Sequence, residues 1–84
     1  MRFYFITFRS VTFAQRAEKL LNQRGYRVSL MRTPRWMEEQ GCGYALKIWT
    51  GEILTAVKLL REARIQLRKV YAQGDEGEME EVQL

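Results

Sequence analysis

The chain has 84 residues with 46% hydrophobic content, one cysteine, no histidine and a net charge of +4. That is the size of one domain, whose core is marginal without favourable local structure or a partner subunit. A single cysteine excludes an internal disulfide framework, the missing histidine excludes the usual zinc clusters, and no stretch approaches the roughly 18 apolar residues of a membrane span.

Arg2 is followed directly by Phe3-Tyr4-Phe5-Ile6, too short for a signal peptide and without a small-residue cleavage pattern. The expectation is a cytoplasmic protein with no membrane partner. The charge is unevenly spread. Residues 1–73 carry 14 Lys and Arg against five Glu, which gives +9, whereas Asp75, Glu76, Glu78, Glu80 and Glu81 make residues 74–84 a −5 segment. A single α+β domain over 1–73 and an acidic, disordered tail over 74–84 follow from this composition.

Phe3 to Phe8 is aromatic and β-branched, which predicts a buried or central strand. Ser10 and Thr12 are candidate N-caps, and Thr12 with Gln15 fits a capping box. A helix is predicted to about Arg24, with Phe13, Ala17, Leu20 and Leu21 on one side and Gly25 as its C-cap. Tyr26 to Leu30 alternates as a second strand, its Tyr26, Val28 and Leu30 facing the core.

Pro34 suits the first turn of a short helix, with Trp36, Met37 and Glu39 before Gly41. Tyr44 to Trp49 is the third strand, and a second helix runs to about Arg64 with Ile53, Ala56, Val57 and Leu60 inward. A last strand is placed near Leu67 to Ala72. The order βαββαβ predicts a ferredoxin-like two-layer sandwich: a four-stranded antiparallel sheet with both helices on one face.

The link between the second and third strands, residues 32–43, is too long for a hairpin turn and holds Gly41-Cys42-Gly43. Loops on a rigid scaffold are where reactive groups usually sit. A thiol reacts as thiolate, favoured by a nearby cation. Arg32, Arg35 and Lys47 are the cations within reach by sequence, while Glu38 and Glu39 act the other way. Without a histidine there is no Cys-His nucleophile pair, and without a second cysteine there is no dithiol cycle within one chain. A single thiol that holds one cargo atom and passes it on is what these residues still permit. A lone cysteine is also commonly a small buried hydrophobe, and Gly41 and Gly43 can serve simply as positive-φ residues leading into a strand.

Phe8 and Ser10, Ala17-Glu18, Pro34-Arg35 and then Cys42-Gly43-Tyr44-Ala45-Leu46 together resemble the selenium/sulfur carrier-like proteins, a family of small bacterial domains, over about residues 3–72. The resemblance implies that Cys42 is the carrier residue, holding sulfur or selenium as a persulfide or its selenium analogue. Gly41, Gly43, Pro34 and Arg35 support it, and the partners implied are donor and acceptor proteins. Glu39, Gln40 and Gly41 stand where the family usually has serines, and Val11-Thr12-Phe13 where a histidine is common.

Two other readings stand beside this. The +9 body and its aromatics suit nucleic acid, but the first strand, Phe3 to Phe8, and the third, Tyr44 to Trp49, do not reproduce the basic-glycine-aromatic motif of the RNA-recognition module, and Arg16, Arg24, Arg27, Arg61, Arg64 and Arg68 are scattered. Met31, Trp49 and Tyr71 could instead line the contact of a homodimer. No paired acids or phosphate loop argue for a turnover enzyme, and no cofactor or metal is expected.

Overall fold

The computed structural model describes residues 2–33 and 43–84. Strand β1 (Arg2–Phe8) leads into helix α1 (Val11–Gln23), followed by β2 (Arg27–Arg32), β3 (Tyr44–Thr50), helix α2 (Ile53–Glu62), β4 (Val70–Gln73) and β5 (Met79–Glu81). The sheet order is β2-β3-β1-β4-β5 and every pairing is antiparallel. Its first four strands have the ferredoxin-like arrangement. The aromatic and β-branched β1 takes the central place that its composition predicts, paired on both edges.

The two helices pack over one side of the sheet. Ile6 and Phe8 of β1, Leu46 and Ile48 of β3 and Val70 of β4 meet Ala14, Ala17 and Leu21 of α1 and the inward face of α2. That inward face is Ile53, Ala56, Val57 and Leu60, all buried, as the spacing predicts. Tyr26, Val28 and Leu30 pack on the same core from the edge strand. The alternate residues of each strand point to the other side, which no helix among the described residues covers.

The helix ends differ in detail from the capping box. Ser10, not Thr12, caps α1: its Oγ accepts the N–H groups of Thr12 at 3.1 Å and Phe13 at 3.4 Å. Helix α1 therefore begins at Val11, and Thr12 is its exposed second residue. Both helices end in the same hydrogen-bonded turn. After α1, Gly25 N–H donates to Asn22 O and Tyr26 N–H to Leu21 O. After α2, Arg64 N–H donates to Arg61 O and Ile65 N–H to Leu60 O. This is the Schellman arrangement, whose hinge residue is left-handed. Gly25 takes that place with φ 87°, and Arg64 takes it with φ 59°.

The sheet has five strands where the sequence predicts four. Residues 79–81 of the acidic segment add to the outer edge of β4, with Tyr71 opposite Glu81 and Gln73 opposite Met79. Val82 N–H continues the pairing to Val70 O at 2.7 Å, and Lys69 meets Glu81 at 3.5 Å. Glutamates have little strand preference of their own, so an open strand edge, not local composition, makes β5.

Candidate functional site

The stem of the loop between β2 and β3 is built from both strands. Past the last register pair, Arg32 opposite Tyr44, Thr33 N–H donates to Gly43 O at 3.1 Å and carries the ladder one step further. The side chain of Thr33 is packed inward with 9% exposure. Its Oγ1 is buried and finds no hydrogen-bond partner among the described residues.

Gly43 sits where a side chain has no room. A Cβ there would lie 3.1 Å from Thr33 Oγ1 and 3.4 Å from Phe8 O. Its φ is outside the left-handed region, which among described glycines holds Gly25 and Gly77. Gly43 is thus a close-approach glycine and not the positive-φ residue that the sequence suggests. Pro34, Arg35, Gly41 and Cys42 lie outside the described residues, as do Trp36, Met37, Glu38 and Glu39.

The register decides which cations share the end of the sheet with this loop. Phe8 and Arg32 both lie opposite Tyr44, so Arg9 and Arg32 flank the stem. The Arg32 guanidinium lies over the Tyr44 ring at 5.8 Å. Lys47 is elsewhere: three residues beyond Tyr44, roughly 10 Å along the strand, with its ammonium 4.2 Å from the Phe3 ring centre and 5.9 Å from that of Phe5. Among the described residues it meets the aromatic rings of β1 on that face of the sheet. Arg9 is the cation that linear reading misses. Only the antiparallel pairing of β1 with β3 brings it beside Gly43.

The face opposite the described helices is aromatic. Phe3, 37% exposed, packs on Trp49 with ring centres 4.5 Å apart. Tyr71 lies opposite Phe5, and Met31 opposite Ala45, on the same side. The structure thus gathers Met31, Trp49 and Tyr71 on one face, though at different rows of the sheet.

A groove of about 850 Å³ opens on the other flank of β1. Arg9, Arg61, Arg64, Arg68 and Lys69 line it, with Glu81 as the one acidic side chain among the described lining residues. The backbone ties it to the loop end of β1: Thr7 N–H donates to Lys69 O, and Arg68 N–H to Thr7 O, both at 2.8 Å. Arg9 therefore belongs to both the loop stem and the groove. Among the described residues no three His, Cys, Asp or Glu side chains gather as a metal site, and no helix is long and apolar enough to cross a membrane.

A family model described as "Putative Se/S carrier protein-like" matches residues 3–72 of the chain. No curated protein and no solved structure matches it.

Proposed function

Because the chain belongs to the Se/S carrier-like family, we propose that Cys42 is a one-atom carrier site for sulfur or selenium, loaded by a donor protein and unloaded by an acceptor. The observation that carries this reading is the lone thiol in a loop whose two ends are clamped, Thr33 to Gly43, at a cationic end of the sheet. The stem gives a docking partner a fixed base from which to find the sulfur. A positive charge close to a thiol favours its thiolate, and Arg9 and Arg32 are the described cations at the stem that could supply one.

The step balances without an oxidant. The Cys42 thiolate attacks the outer sulfur of a donor persulfide; a new S–S bond forms at Cys42 Sγ while the donor's S–S bond breaks. The donor cysteine leaves as thiolate, and Cys42 holds the outer sulfur with its proton. Transfer to an acceptor thiolate repeats the exchange in reverse. One cysteine per chain suits this chemistry, since no second thiol within the chain is present to attack Cys42 Sγ, expel the outer sulfur as sulfide and close a disulfide.

Intact-mass spectrometry after incubation with a persulfide-generating donor tests the reading. The wild type gains one sulfur atom and C42A gains none. No gain on the wild type, or an equal gain on C42A, would sink it.

A further inference from the structure

We propose that the groove beside β4 is a binding site for an organic phosphate, a ligand of nucleotide size whose phosphate meets the arginines and whose uncharged body lies on the groove floor. The groove, about 850 Å³, falls within the range of small-molecule sites. Its rim draws Arg9 from the turn after β1 and Arg61 and Arg64 from the end of α2, with Arg68 and Lys69 leading into β4. The single side-chain carboxylate among the described lining residues, Glu81, is 3.5 Å from Lys69. Arg9, Arg61 and Arg64 are exposed and carry the proposal. Guanidinium groups match the paired oxygens of phosphate in a way ammonium groups do not. The floor includes half-buried Phe13 and buried Ile65, surfaces for an uncharged body.

Arg64 supplies the second, independent observation. It occupies the left-handed hinge of the α2 turn with φ 59°, where the identical turn after α1 uses Gly25. A Cβ in that conformation is strained. Arg61 has an ordinary reason for its place, since a cation in the last turn suits the negative end of a helix. That reason does not require a side chain at the strained hinge. An arginine held there against backbone preference is the pattern of a residue kept for what its side chain meets.

A small ligand is favoured over nucleic acid because the lining cations gather at one groove, which Arg16, Arg24 and Arg27 do not line, whereas a strand needs a cationic track. The test titrates the full chain with ADP and follows backbone amide shifts by NMR. Saturable shifts at Arg9, Arg64 and Arg68 are expected, weakened about tenfold or more in R61Q and in R64G. The R64G fold melts at or above the wild-type temperature, so its loss of binding is not loss of structure. C42S binds ADP as the wild type does, which separates this site from the carrier thiol: failure of either leaves the other standing. Absence of saturation, or R64G and R61Q binding like wild type, overturns the proposal. So does a single-stranded oligonucleotide that binds more tightly than ADP and spreads its shifts to Arg16 and Arg27.

Discussion

Gly43 and Thr33 meet at the point where the cysteine-bearing loop joins the sheet, and the space between them is already full. A methyl group at Gly43 would stand 3.1 Å from Thr33 Oγ1 and 3.4 Å from the Phe8 carbonyl oxygen, tighter than ordinary contact. Gly43→Ala is therefore expected to cost about 1–2 kcal/mol through overpacking. Thr33→Ala removes the nearer atom and with it a buried hydroxyl that has no partner among the described residues, so alone it costs less than truncation of a well-bonded threonine. In the double variant the Gly43→Ala penalty shrinks, and a denaturant-melt double-mutant cycle reads the coupling. Additive penalties would mean that the crowding at Gly43 lies elsewhere. The sequence displays Gly43 as a residue with a special backbone duty, but which duty depends on Thr33 and Phe8, one from each neighbouring strand. Arg9 is hidden from linear reading for the same reason: it is 33 residues from Cys42 in the chain and reaches the loop stem only through strand register.

The matched turns that end the two helices give a comparison within one chain. Gly25 has open space around an added Cβ, so Gly25→Ala tests backbone conformation without a clash. It is expected to lose about 1 kcal/mol. Arg64→Gly makes the reverse change at the same position of the turn, and is expected to gain up to about 1 kcal/mol, reduced by the extra freedom of glycine in the unfolded chain. Thermal melts of the two variants check the pair; shifts of the same sign would refute the strain assignment. The helices were the most legible elements because their apolar faces repeat at helical spacing, as Ala17 and Leu21 or Val57 and Leu60 show. Their starts were less so. Ser10 and Thr12 are chemically equal candidates, and the choice between them rests on where β1 ends and the chain turns, which places Ser10 with an extended backbone at φ −122°. The strand β5 has no apolar alternation to reveal it.

At the scale of the molecule, the acidic segment covers an edge and offsets a charge, and these two effects separate when it is removed. Ending the chain at Gln73 strips β5 from β4 and takes away the Val82–Val70 hydrogen bond and the Lys69–Glu81 contact. It also removes Val82, which packs on the core. The loss of this burial and pairing is expected to cost about 2 kcal/mol. Two opposed consequences follow for association. A bare β4 edge is a template for pairing with another chain, whereas a +9 body repels its copies. Salt decides between them. In about 0.01 M salt the screening length is roughly 30 Å, as long as the molecule's own 30 Å extent, so repulsion acts across the whole approach. In about 0.15 M salt it falls to roughly 8 Å, and backbone pairing at the edge meets little opposition. Sedimentation of the truncated chain is therefore expected to show monomer in low salt and concentration-dependent association at physiological salt. The full-length chain, its edge covered and its charge lowered to +4, shows no such salt-driven step. A truncated chain that stays monomeric at both salts and melts like the full-length protein would mean that β5 neither stabilises the sheet nor guards its edge.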